Sequence, residues 1–118
     1  MIIEQPTRYV FDLDGTLCFT VDGDYANAQP RSDRIAIVNS LADLGHDISI
    51  YTARGMGRFG DDQLLARKAF EDLTISQLRA WGVKFTILLF GKPSGDIYID
   101  DKAIKDVDFF ARFMKEHS

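Results

Sequence analysis

The sequence predicts an α/β fold: a doubly wound, mostly parallel sheet with helices on both faces. Three observations carry that expectation. Short apolar or alternating runs recur as candidate strands. Stretches with helical spacing separate them. Every candidate strand is followed at its carboxyl end by polar residues, as in open parallel sheets that bind ligands at that rim.

Arg8 to Asp12 (RYVFD) is a short apolar run that stops at acidic and glycine residues, the pattern of a buried strand. Gly15 to Pro30 is rich in Gly, Asp, Asn and Thr and reads as a loop or flap. Ser32 or Asp33 caps a helix to about Leu44, with Ile35, Val38, Leu41 and Ala42 as its apolar face. Gly45 stands where a left-handed C-terminal cap belongs. Asp47 to Thr52 (DISIYT) alternates and is a second strand. Three glycines make Ala53 to Gly60 a loop. Asp61 or Asp62 caps a helix over Gln63 to Asp72, and a Thr74–Gln77 capping box starts a short one that ends near Trp81 before Gly82. Phe85 to Phe90 (FTILLF) is a third strand and Asp96 to Asp100 (DIYID) a fourth. A last helix runs from Lys102 to about Glu116, with Ile104, Val107, Phe110 and Met114 on one face; Trp81 and the helix's Phe residues read as core, with an oligomer contact as the alternative for the second stripe of Phe109 and Phe113. The expected order is β-α-β-α-β-β-α, in one domain over 1–118.

Composition narrows the class. At 118 residues the chain can bury roughly 65% of its unfolded surface, enough for a core. With 46% hydrophobic and 27% charged residues it is neither disordered nor a disulfide scaffold. A net charge of −4 argues against a nucleic-acid or anionic-membrane surface. The lone Cys18 precludes an internal disulfide and, with no secretory signal or bilayer-spanning run, predicts a cytoplasmic protein.

The chemistry gathers at the strand ends. The first is followed by Asp12-Leu13-Asp14-Gly15-Thr16, the second ends in Thr52 with Arg54 beyond, the third leads to Lys92, and the fourth ends in Asp100-Asp101. Up to four carboxylates at one rim repel one another unless a cation neutralises them, and hard oxygen ligands suit Mg²⁺. A carboxylate-bound metal beside a lysine and a threonine suits a phosphate group. One carboxylate could attack phosphorus, and its neighbour two residues on could protonate the leaving oxygen and then activate water. An EF-hand fails here, because Leu17 stands at the sixth loop position and Gly23 at the twelfth. His46 and His117 have no ligand spacing, and Cys18 reads as structural.

VFDLDGTL (10–17), ISIYT (48–52), Lys92 in FGKP and IYIDD (97–101) resemble, in order, the four motifs of the haloacid dehalogenase (HAD) superfamily. The resemblance implies a Rossmann-like core and a phosphatase in which Asp12 is the nucleophile and a metal ligand. Asp14 would be the general acid/base, with its backbone carbonyl on the metal. Thr52 would bind the phosphoryl group, and Lys92 would stabilise nucleophile and phosphate. Asp100 and Asp101 would complete the Mg²⁺ site, Asp101 ranking slightly ahead as the direct ligand. The 16 residues from Gly15 to Pro30 and the 39 between Thr52 and Lys92 leave no room for a cap domain. The resemblance is therefore to a capless member, similar to small bacterial phosphatases of capsular polysaccharide biosynthesis. An open site needs covering, by a large substrate or by a neighbouring subunit in a homo-oligomer. Gly15, Thr16, Ala53 and Arg54 are the candidate substrate-binding residues, Arg54 on the rim, with a sugar phosphate or related phosphometabolite as substrate.

Each motif has a plain alternative: a glycine-closed turn at Asp12–Thr16, a structural Thr52, a solvated Lys92, a helix cap at Asp100–Asp101. Two other functional classes stay open. A phospho-accepting receiver domain shares the length and the acidic cluster, but expects its acceptor Asp after the third strand, where this chain has Phe90-Gly91. A non-catalytic phosphate-binding module would keep the fold without turnover.

Overall fold

A computed structural model describes residues 5–117, without the side chains of 114–117, so Met114 and His117 lie outside the described side chains. Three parallel strands form the main sheet: β1 (Arg8–Phe11), β4 (Asp47–Thr52) and β5 (Ile87–Phe90), in the order β1-β4-β5. The segment expected to be a flap carries a two-stranded antiparallel hairpin, β2 (Cys18–Phe19) with β3 (Gln29–Pro30). Helix α1 (Ser32–Asp43) links β1 to β4, α2 (Gln63–Ala80) links β4 to β5, and α3 (Asp106–His117) closes the chain. Among the described residues, no helix is long and apolar enough to cross a membrane.

The sheet buries one face. Register places Tyr9 beside Ile48, Phe11 beside Ile50 and Ile50 beside Leu88. All five join a core that takes Ile35, Val38 and Leu41 from α1, Leu78 from α2 and Phe110 from α3. All three helices therefore feed one layer. The opposite face carries Val10, Ile87 and Leu89, exposed by 58%, 45% and 42%. Parallel sheets normally have both faces covered. β1, expected to be buried, is instead a half-buried edge strand.

Four further expectations differ. Residues 96–100 form no strand and are all exposed, because only five residues separate them from β5 and a parallel crossover needs about a dozen or more. The two short helices are one continuous α2. Thr74 is buried within it, and its hydroxyl accepts a bond from Arg54 instead of capping a new start. Asp62 caps α2 by accepting from the N–H groups of Leu64 and Leu65. Helix α3 begins at Asp106 rather than Lys102, and Phe110 of its expected apolar face is buried in the core. Phe109 and Phe113 pack against the core, Val107 is 51% exposed, and Ile104 precedes the helix. The ring of Phe109 meets those of Tyr9 and Phe11, so this stripe is the contact to the sheet.

Asp106 anchors α3. Its carboxylate accepts from buried Arg34 of α1 at 2.7 Å. Burial pushes its pKa up, but the hydrogen bond and charge of Arg34 outweigh that and hold it below the ordinary 3.8. A depressed folded-state pKa gives stability that is complete above the unfolded value and lost as pH falls through the folded one. Asp106→Asn should therefore cost about 1–2 kcal/mol at neutral pH. The difference from wild type should shrink below pH 3.8, as read by urea unfolding across pH. An equal deficit at all pH values would exclude the ion pair as its source.

Candidate active site

The parallel register brings three strand ends to one rim: Phe11 lies beside Ile50 and Thr52 beside Phe90, so Asp12, Ala53 and Gly91 leave the sheet together. A cavity of about 320 Å³ opens there. Asp12, Asp14, Ala53, Arg54 and Lys92, all expected from the sequence, line it. Tyr25, Gly57, Arg58, Ser94 and Tyr98 complete the wall.

The turn after β1 is wound tightly around one carbonyl. Leu13 O accepts from the N–H groups of Thr16, Leu17 and Cys18. Gly15 adopts φ +86°, a left-handed conformation that favours glycine, and its N–H donates to Cys18 O. This winding points the Asp12 carboxylate at Lys92, whose Nζ lies 3.2 Å from Oδ1, while Thr16 Oγ1 donates to Oδ2 at 3.1 Å. Lys92 is held in place by its own N–H, which donates to Thr52 O, and its ammonium sits over the Tyr98 ring at 4.3 Å. Thr52 is buried at 1% exposure, and its Oγ1 accepts from the Arg54 N–H. Gly15, Thr16 and Thr52 are not among the cavity's lining residues, Gly15 being exposed and Thr52 buried.

Arg54 is the surprise of the site. Expected on the rim, it is 1% exposed. Its Nε donates to Asp14 Oδ2 at 2.9 Å and its Nη2 to Oδ1 at 3.0 Å, a bidentate grip. Nη1 donates to Thr74 Oγ1 and Gln77 Oε1 of α2, and the guanidinium lies 4.9 Å from the Tyr25 ring. Gln77 in turn donates to Tyr25 O. One arginine thus ties the β1 turn, the hairpin segment and α2 to a single carboxylate. Thr20 Oγ1 also donates to Asp14 Oδ1 at 2.6 Å. Gly55 allows this packing: at φ +80° a Cβ there would lie 2.9 Å from Phe70 and 3.0 Å from Ala66.

Cys18 is buried next to this network. Burial, then the charge of Asp14, raises its thiol to about 11, so it holds its proton and is no nucleophile. His46 accepts from the Thr7 N–H and packs edge-on against Tyr9. Asp100 and Asp101 are exposed and do not line the cavity. The Asp100 carboxylate accepts from the Lys102 N–H.

No family model matches this chain. No curated protein matches it either. Among solved structures, it resembles the crystal structure of a target protein from Vibrio cholerae, with 27% identity and a TM-score of 0.80 over 95% of this chain and 99% of that one. A second likeness is to a chain of the Pnkp1/Rnl/Hen1 RNA repair complex, with 14% identity and a TM-score of 0.55 over 99% of this chain and 34% of the other. This second likeness concerns the fold alone.

The sequence did not single out Tyr25, Arg58, Ser94 and Tyr98. They come from three segments that only the fold brings together, and no spacing marks them. The Thr74–Gln77 pair was noticed as a capping box, whereas its polar atoms serve Arg54.

Proposed function

We propose that the chain is a phosphomonoester hydrolase of the capless haloacid dehalogenase type, on a Rossmann-like core, acting on a phosphorylated small molecule in the cytoplasm. The observation that supports this best is the Asp12–Lys92 pair at the cavity floor, with Thr16 orienting the carboxylate.

In this reading an Asp12 oxygen attacks phosphorus while the ester P–O bond breaks. The leaving oxygen takes a proton from Asp14. Asp14 then accepts a proton from water as that water attacks the aspartyl-phosphate, releasing phosphate and restoring Asp12. Lys92 offsets the phosphate charge, and the hydroxyl hydrogen of Thr52 is free to donate because its oxygen accepts from Arg54. Arg54 engages both Asp14 oxygens, so in this reading Asp14 reaches the leaving oxygen by turning from the guanidinium towards the cavity. Arg58, at the mouth, suits a second anionic or hydroxyl-rich part of the substrate, such as a sugar phosphate.

The family resemblance implies Mg²⁺. Within one chain the described residues do not fit it: no group of three or more His, Cys, Asp or Glu is placed to hold a metal. At the cavity only Asp12 and Asp14 supply carboxylates. No step above is routed through the ion.

The test is phosphate release from an aryl phosphate and a panel of sugar phosphates, in Mg²⁺ and in chelator. Turnover that needs Mg²⁺ supports the reading. Absence of release from every ester in the panel overturns it in favour of a phosphate-binding module.

A further inference from the structure

Two features of this chain are each incomplete, and each fits the other. β1 reads in sequence as a buried strand, yet it is an edge with Val10 58% exposed. Among the described residues its outer row of N–H and C=O groups faces no strand, the condition in which an edge recruits another chain. Residues 96–100 (DIYID) read as a strand, yet pair with no strand among the described residues: Ile97 is 80% and Ile99 94% exposed, values unusual for isoleucine, and it is the Tyr98 side chain, through Pro93 O, Gly95 N–H and Lys92, that tethers the segment within one chain.

The chain cannot join them itself. Lys92 is fixed at the rim by its bond to Thr52 O. A strand parallel to β1 must begin at the opposite end of the sheet and on its far side. Three residues separate Lys92 from Asp96, far fewer than a crossover requires. A second copy has no such limit. Residues 93–105 form an arm of 13 residues between the Lys92 anchor and the Arg34–Asp106 anchor. Folded out and back it reaches roughly 20 Å, at about 3.3 Å per residue.

We propose that the chain forms a two-fold dimer by reciprocal arm exchange, residues 96–100 of each copy adding as a fourth strand to the β1 edge of the other. The interface is isologous, each copy giving an arm and accepting one. Main-chain bonds supply the pairing, and Ile97 and Ile99 supply the burial. Run parallel to β1, the arm carries Asp100 and Asp101 to the rim of the second copy, where Asp12 and Asp14 stand. This last point rests on the phosphatase reading; the exchange itself does not rest on it.

Light scattering and hydrogen exchange test the exchange. Wild type at tens of micromolar should have twice the mass of one chain, and Ile97→Asp/Ile99→Asp should halve it with the circular dichroism unchanged. In wild type the amides of 97–100 should be protected and should open on dilution to monomer. A monomeric wild type overturns the proposal. So does a dimer that survives the double substitution, or a dimer whose 97–100 amides exchange freely. Mixing Asp12→Asn with Asp100→Ala/Asp101→Ala then tests the direction of the arm. If each is inactive alone, subunit exchange should restore about one quarter of wild-type turnover, since half the dimers are mixed and each has one intact site. A dimer with exchanged arms and no hydrolysis in any form would sink the phosphatase reading alone.

Discussion

Asp12→Asn is expected to lower turnover roughly 1000-fold or more while leaving the fold intact, because an amide cannot attack phosphorus to form the aspartyl-phosphate. The site explains why structure should survive. Asp12 is only partly buried, its partners are Lys92 at 3.2 Å and Thr16 at 3.1 Å, and an asparagine oxygen can still accept from either. The cost to stability should stay within about 1 kcal/mol, the usual scale for a part-exposed pair. Turnover and melting temperature measured on the same preparation separate the two. Hydrolysis that persists in the variant would assign the nucleophile elsewhere, and a large drop in melting temperature would make Asp12 a structural residue of the turn.

Arg54→Ala is expected to act in the opposite sense, on stability first. Arg54 is 1% exposed and grips Asp14 with two bonds, so truncation leaves a carboxylate without its counter-ion and Thr74 and Gln77 without their donor. Breaking a buried pair from one side costs about 3–5 kcal/mol. For a domain of this size that is a melting-temperature loss of roughly 10–20 °C. Turnover of the folded fraction should fall as well, since Asp14 loses its orientation. Arg54→Lys should fall between, keeping the charge but not the fork. A double-mutant cycle with Asp14→Asn should show coupling of at least about 1 kcal/mol. Additivity, or an Arg54→Ala protein as stable as wild type, would show that the grip contributes nothing.

The sequence made different parts of this molecule legible to different degrees. β4 and the start of α2 were readable because alternation in DISIYT and the cap at Asp62 are local signals. The gathering of Asp12, Asp14 and Lys92 was readable because parallel strands deliver their ends to one rim. The fate of DIYID was not. Its pattern is that of a strand, but pairing depends on where β5 leaves the chain and on how few residues follow. Arg54 was misplaced for a related reason. A charged residue two positions past a strand is exposed by default, and only the carboxylate 40 residues earlier, with two polar groups on α2, makes its burial tolerable. The Phe residues of α3 were readable as core, and Phe109, Phe110 and Phe113 all pack there, whereas Ile104 falls outside the helix because it begins four residues later than its sequence suggests.

The contacts of Gly55, Arg54 and Tyr25 also bear on how the cavity admits a substrate. The 53–60 loop is packed on α2 through Gly55. Tyr25 is wedged between Arg54 and the ring of Phe70, and Gln77 fixes its backbone. Hairpin segment, loop and helix are thereby fastened into one body. Under the proposed function, the mouth on this side would act as a fixed aperture rather than a hinged door, with Tyr25 and Arg58 among the side chains that line it. On that reading such an aperture would sort by shape at the moment of entry, and would be retuned by changing the size of a side chain.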